Sequence, residues 1–388
     1  MTATANGSER QILEWLAGQR GPMLALLETL VNTDSGSYDK AGVDAVGDHI
    51  RRFLDANEVA TDVTPGEKFG DAITATVTGG GGNRPILLMG HRDTVFPKGE
   101  PERRPFKIEG DRAYGPGVAD MKAGLVINCF LLAAFRRFGG APAPVMALFT
   151  GDEEIGSPFS RKFIEAEARS ARVALNAEPG RPSGNIVTGR KGGVFFRCDV
   201  TGKAAHSGAN FQQGVSAIEE LARKIQSWHR LTDLDKGQTV NVGLISGGQS
   251  VNTVAPSATC DIDLRYVEPG DRDEIVNAVM NIAHTSSLAG TSAEIAIMGE
   301  FRPMKPSAEA DALFERYVAS AAEAGLSIEG EFSGGCADSG FAAGVGAPTL
   351  CGVGPVGGKA HSAEEYLELD SLVPRAQAAA LTILRLNT

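Results

Sequence analysis

Apolar residues recur at helical spacing over residues 8–31 and 40–56, and three short continuous apolar runs follow: PILLMG (85–90), VMALFT (145–150) and VALNA (173–177). A further helical stretch begins after Asp120. Runs this short and this apolar predict buried strands, and their alternation with helices predicts an α/β layer built on a parallel or mixed sheet flanked by helices. In such sheets ligand chemistry gathers at the carboxyl ends of the strands.

From about residue 187 the pattern changes. It reads strand VFFRCDVTG, helix VSAIEELARKIQSW, strand TVNVGLISG, strand TCDIDLRYV, helix RDEIVNAVMNIAHT and strand AEIAIMGEF. The order β-α-β-β-α-β predicts a ferredoxin-like split unit. After FRPM (301–304) the α/β pattern returns with a helix over 308–324, the strand APTLCGV and a final helix through Leu386. We therefore expect one domain from residues 1–187 and 303–388, with a second, residues 188–302, inserted into it. The GGGGN run at 79–83 reads as a flexible connection.

A 388-residue chain with 42% apolar and 22% charged residues is of ordinary globular composition and long enough for two domains. The net charge of -11 is spread along the chain without a Lys/Arg cluster, which argues against nucleic acid as a partner. Five cysteines include no CxxC pair, so neither a disulfide framework nor a thiolate zinc site is expected, and a reduced, cytoplasmic setting fits. The polar start MTATANGSERQ has no apolar signal core, and the run GLVINCFLLAAF is shorter than a bilayer-spanning helix, so no membrane association is expected.

Five segments place metal-binding residue types at strand ends or in Gly-rich loops: MGHRDTVFP (His91, Asp93), GPGVADMKAG (Asp120), FTGDEEIGS (Asp152, Glu153, Glu154), LNAEPG (Glu178) and GKAHSAEE (His361). Each has an ordinary reading alone: a surface histidine, a cap, a turn residue, or an acidic helix start favoured by the helix dipole. Together, the two imidazoles and three of these carboxylates, without a thiolate, suit zinc or a similar divalent ion. Two ions sharing one carboxylate would use all five, and such a pair can activate a water and polarise a carbonyl.

These motifs resemble the co-catalytic zinc amidohydrolases that include glutamate carboxypeptidase, aminoacylase, acetylornithine deacetylase and succinyl-diaminopimelate desuccinylase. HRDTVFP is similar to the family's H-x-D-x-V-P segment with Phe96 added before the proline; GVADMKAG is similar to G-x-x-D-x-K-G with Ala123 before its glycine; GDEEIGS matches nearly letter for letter. The resemblance covers nearly the whole chain and implies a di-metal catalytic domain with an inserted lid and dimerisation domain. It implies two Zn²⁺ per chain, with cobalt or manganese suiting the same ligands: His91 and Glu178 on one ion, Glu154 and His361 on the other, and Asp120 bridging. It further implies Glu153 as general base, Asp93 as the carboxylate orienting His91, and a cis peptide at Asp120–Met121. Asp152 reads as a cap or solvated neighbour.

In the inserted domain, His206 (GKAAHSGAN), Asn252 (VNTVAP) and Arg265 (DIDLRY) have ordinary readings as a loop histidine, a turn residue and a strand charge paired with Asp261 or Asp263. The resemblance implies instead that His206 reaches a neighbouring subunit's site to stabilise an oxyanion, and that Asn252 and Arg265 hold a substrate carboxylate. Gly334, Gly335 and Asp338 are similar to the family's Gly-rich loop near the substrate backbone, and Lys191 could add a positive charge. The expected substrate is a peptide or N-acyl amino acid with a free carboxylate beside the scissile amide, cleaved in a carboxypeptidase-like manner by a homodimer. The alternative is an N-acyl amino-acid deacylase or deacetylase. A non-catalytic scaffold is the remote third case, set against the presence of all five ligand positions and Glu153.

Overall fold

The computed structural model describes residues 3–80 and 84–386, so positions 81–83 of the GGGGN run lie outside the described residues. The chain divides into two compact units: residues 1–189 with 304–333 and 337–388, and residues 190–303 with Gly334–Cys336.

The first unit is a mixed α/β layer. Its eight-stranded sheet runs in the order Thr61–Thr64, Ala72–Val77, Val145–Thr150, Ile86–His91, Val173–Asn176, Thr349–Cys351, Ile186–Arg190, Gly330–Ser333. The central strands from Val145–Thr150 through Thr349–Cys351 are parallel, and antiparallel pairs flank them. Ile86–His91 is buried at every position, as an apolar run covered on both faces should be.

The helix Ala123–Arg137 lies in the core, with every residue from Ala123 to Phe135 buried. Joined to the preceding turn, it makes a stretch, Val118–Arg137, that is long and apolar enough to cross a membrane, longer than the apolar run alone suggested; 94% of its most apolar window is buried inside the protein. Gly124 lets this helix approach the chain just before Glu178, since a Cβ there would overlap the Ala177 carbonyl. The single helix expected over 8–31 is instead two, Ala3–Ala17 and Arg20–Val31, parted where Gly18 and Gln19 turn back onto Trp15 and Leu16.

A second, four-stranded sheet of very short strands, in the order Gly357–Gly358, Tyr366–Glu368, Arg112–Tyr114, Lys107–Glu109, went unread in the sequence. Pairing of Tyr366 with Tyr114 holds the segment after His361 against the segment before Asp120.

The second unit has the expected β-α-β-β-α-β order. Its antiparallel sheet runs Thr239–Gly247, Ser257–Tyr266, Gly192–Thr201, Ser292–Phe301. The helices Ala217–His229 and Arg272–His284 close its core around Leu221, Trp228, Ile262 and Val279.

Candidate metal centre

Three adjacent parallel strands end at one place. His91 closes the middle strand, opposite Thr150 in register, and Asp152, Glu153 and Glu154 follow that neighbour after one glycine. Glu178 follows the strand on the other side. Asp120 comes from the irregular turn Val118–Lys122 ahead of the core helix, and its peptide to Met121 is cis.

His91 Nε2 stands 3.3 Å from Asp120 Oδ1, 3.7 Å from Glu178 Oε1 and 3.8 Å from Glu153 Oε2. His361 Nε2 stands 3.5 Å from Asp120 Oδ2 and 3.2 Å from Glu154 Oε2. Asp120 thus turns one oxygen toward each imidazole. His361 has a φ of 63°, left-handed backbone that histidine adopts more readily than most residues.

Asp93 is fully buried and organises this end of the sheet. Its Oδ1 lies 3.4 Å from His91 Nδ1 and accepts the Glu153 N–H at 3.1 Å; its Oδ2 accepts the Glu154 N–H at 3.1 Å and the Ser37 hydroxyl at 2.7 Å. Asp93 therefore sets the imidazole, its carbonyl oxygen 3.0 Å from His91 Nδ1, while its carboxylate sets both glutamate backbones. Asp152 is buried and accepts the N–H groups of Phe159 and Ser160 just ahead of the helix Arg161–Ser170, so its solvated reading is corrected.

Sequence reasoning missed Glu365. It is fully buried, and its carboxylate accepts the N–H groups of Gly117 at 3.0 Å and of Ala119 and Asp120 at 2.9 Å each. Nothing local distinguishes it from Glu364, which is exposed and paired with Lys359. Asp338 was seen only as part of a Gly-rich loop; it is a buried acceptor for Ser157 and Thr150.

The electrostatics are those of crowded carboxylates. Burial, then the Glu178, Asp338 and Glu154 charges, push the Glu153 carboxyl well above its ordinary value despite His91. Burial pushes Asp338 up to about 8 and Glu365 up to about 7. Burial would also raise Asp120, but the neighbouring His361 and His91 imidazoles outweigh it and hold its carboxyl below the usual range. Bonds to Asp120 and Glu154 raise His361 to about 10.

Two buried atoms at the centre, His91 Nε2 and Asp120 Oδ1, have no hydrogen-bond partner among the described residues. Orphaned buried polar atoms are costly and uncommon. A divalent cation would satisfy both and offset the excess negative charge, and the groups His91–Glu153–Glu178 and His91–Asp120–Glu154 each bring ligand atoms within 4.8 Å of one another. The nitrogen and oxygen donors fit an ion of the zinc class.

In the second unit, His206 is exposed, and its Nδ1 accepts the N–H groups of Gly208 and Ala209 at 3.1 Å, which leaves the ring proton on Nε2. A bridge between His206 and Thr253 sets it beside Asn252, whose carbonyl accepts the Ser207 N–H at 2.9 Å. Arg265 is elsewhere. It makes a bidentate pair with Asp263 at 2.6 and 2.9 Å and reaches Cys336 Sγ at 2.7 Å. Asn252 precedes Ser257 at one end of the strand Ser257–Tyr266 and Arg265 stands at the other, roughly 26 Å away at about 3.3 Å per residue. One chain therefore does not bring the two together. Lys191 is partly exposed in the short link between the strands Ile186–Arg190 and Gly192–Thr201, and the carbonyl of Gly335 accepts from Arg190 at 3.1 Å.

A mixed α/β unit with a buried imidazole and carboxylate cluster at its strand ends is the framework of a metal-dependent hydrolase. The chain belongs to Peptidase family M20/M25/M40, whose model matches residues 87–385. It is 31% identical over 394 residues to carboxypeptidase G2 of Pseudomonas sp. (strain RS-16), covering 100% of this chain and 94% of that one. It is 32% identical over 213 residues to an acetylornithine deacetylase of Myxococcus xanthus, covering 52% and 54%. Its fold is similar to that of an M20 family metallo-carboxypeptidase from Sulfolobus solfataricus, with a TM-score of 0.78, 18% identity, and 93% and 99% of the chains covered.

Proposed function

We propose that this protein hydrolyses the amide bond next to a free carboxylate and releases a C-terminal amino acid, with two Zn²⁺ per chain. The observation that carries the reading is the position of Asp120, with its two oxygens 3.3 and 3.5 Å from the imidazoles of His91 and His361. His91 and Glu178 would complete one ion's ligands, and Glu154 and His361 the other's.

When bound, such a pair supplies Lewis-acid polarisation of the substrate carbonyl and acidifies the attacking water. Glu153 is the general base that accepts the water's proton and delivers it to the leaving nitrogen. The Nε2–H of His206 is the donor for the developing oxyanion. Arg265 meets the substrate carboxylate with its planar fork once Asp263 yields it.

Because Asn252 and Arg265 lie at opposite ends of one inserted sheet, both can hold a single substrate only if two chains contribute. This supports a homodimer. The edge strand Thr239–Gly247 leaves Leu244 and Ile245 exposed at 66% and 59%, an apolar edge of the kind that pairing covers. No disulfide joins any of the five cysteines, four of them buried, which supports a reducing, cytoplasmic setting.

Likeness to the Myxococcus enzyme favours a second reading, removal of an acyl group from an amino acid, which differs in the acyl half alone. The test is amino-acid release by the zinc-loaded protein from N-benzoyl and N-acetyl derivatives of glutamate, aspartate, leucine, alanine and arginine, each with its C-terminal carboxamide. We expect two zinc ions per chain and turnover of the acids but not the carboxamides. Equal turnover of both would remove the carboxylate clamp, and no turnover of any would overturn the hydrolase reading for this substrate class.

A further inference from the structure

The two inner strands of the inserted sheet, Gly192–Thr201 and Ser257–Tyr266, run antiparallel, and their register sets Cys198 directly opposite Cys260. Along the first strand Val194, Phe196, Cys198 and Val200 are the buried positions; along the second they are Ala258, Cys260, Ile262 and Leu264. Both thiols therefore leave the sheet on one face, into the core that the helices Ala217–His229 and Arg272–His284 close. Residues opposite one another in an antiparallel pair have Cα atoms roughly 4.5–5.5 Å apart, inside the span of about 4.4–6.8 Å that a disulfide bridges. The other cysteines are placed differently: Cys129 lies in the core helix, Cys351 is opposite Asn176 and Val187, and Cys336 lies against Arg265.

The pair is also polarised. A hydrogen bond from Cys260, helped by the Lys224 ammonium, lowers the Cys198 thiol below its ordinary value, while Cys260 is raised. One sulfur is the readier nucleophile and the other keeps its proton. Cys198 and Cys260 are 0% and 1% exposed, which shuts out bulky reagents and leaves small oxidants that enter through local opening of the sheet.

We propose that Cys198 and Cys260 are a reversible redox pair, which hydrogen peroxide closes into a disulfide across the inner strands of the inserted sheet and a dithiol reductant reopens. The Cys198 sulfur attacks one peroxide oxygen, the O–O bond breaks, and Cys198 becomes a sulfenic acid as the other oxygen leaves as water. The Cys260 sulfur then attacks the Cys198 sulfur, the sulfenic hydroxyl leaves with the Cys260 proton as a second water, and the S–S bond closes. Two thiols are oxidised and one peroxide is reduced to two waters. The closed loop holds the helix Ala217–His229 and the edge strand Thr239–Gly247, together with His206 and Asn252, so the cross-link restrains the unfolded chain over much of this unit and stabilises it. The inference is independent of the hydrolase reading.

The test treats the full-length protein with hydrogen peroxide, blocks remaining thiols with iodoacetamide in denaturant, and follows the peptide map and the melting temperature. We expect a Cys198–Cys260 linked peptide, lighter than its two thiol halves by two hydrogens, and a melting transition raised by about 5–15 °C, both reversed by dithiothreitol. Cys198→Ala and Cys260→Ala should each give no such cross-link and no rise above their own untreated melting temperatures. A cross-link between other cysteines, sulfinic acid on Cys198 without a cross-link, or both thiols still free after peroxide overturns the pair. A Cys198–Cys260 bond that leaves the melting temperature unchanged, or a rise that persists in the variants, overturns its stabilising role.

Discussion

Glu365 accepts the backbone N–H of Asp120 at 2.9 Å, across 245 residues of chain, and through the N–H groups of Ala119 and Gly117 it holds the whole turn that carries the bridging candidate. Removing the acceptor leaves three buried N–H groups unpaired and Asp120 free to shift. Glu365→Ala should weaken zinc binding by about 10- to 100-fold, the usual cost of losing such support, while Glu365→Gln, which keeps one acceptor oxygen, should lose less. Zinc titration against a competing chelator measures both. Equal affinity in wild type and Glu365→Ala would remove the positioning role.

Glu153 differs from its neighbours in that it can be lost without emptying the ligand set. Glu153→Ala should keep zinc content near wild type and reduce kcat by about 10²- to 10⁴-fold, as expected for a lost general base. Turnover within a few-fold of wild type, measured alongside metal analysis, would transfer the proton role elsewhere.

If His206 acts across a dimer, two inactive proteins should rescue each other. Mixing His206→Ala with Glu153→Ala, after dissociation and reassociation, yields hybrid dimers with one complete site. About a quarter of wild-type activity should return, since half the dimers are hybrids and one of their two sites is intact. No recovery from a mixture shown to contain hybrids would confine His206 to its own chain.

Without a cation, the carboxylates of Asp120, Glu153, Glu154 and Glu178 face one another around His91 and His361. Chelation should abolish turnover and lower the melting temperature, and zinc should restore both. At 100 times its Kd, a ligand that binds the folded state alone adds about 2.7 kcal/mol. Magnesium should restore far less, because it prefers all-oxygen octahedral sites. Differential scanning calorimetry with an activity assay checks the pair.

In the second unit, fully buried Glu220 pairs with Lys224 at 2.9 Å and accepts the N–H groups of Ser287 and Leu288, while Lys224 donates to the carbonyls of Ile282 and Thr285. Burial would raise the Glu220 carboxyl, but the Lys224 bond and the two N–H groups outweigh it and depress it below its ordinary 4.5. A depressed carboxyl stabilises the fold fully above the unfolded value and loses that contribution as the pH falls through the folded one. Glu220→Ala should therefore destabilise this unit by about 3 kcal/mol at neutral pH, leaving Lys224 buried without its counter-charge. The gap from wild type should narrow below about pH 4.5; denaturant melts at pH 7 and pH 4 show whether it does.

Features written locally in the chain could be read without the fold. PILLMG, VMALFT and VALNA are apolar because both faces of a central parallel strand are covered, and each run hands over directly to His91, Glu153 with Glu154, or Glu178, so strand and ligand candidate could be read in one stretch. The β-α-β-β-α-β order of the second unit was legible for the same reason, since its strands and helices are long enough to show their periods. The break between Ala17 and Arg20 was not, because helical spacing continues through it. The tertiary structure alone decided which of two adjacent acids, Glu364 or Glu365, is buried, because that depends on two- and three-residue strands pairing Tyr366 with Tyr114 far away in the chain. It alone separated Arg265 from Asn252, since their distance is set by the length and register of a folded strand.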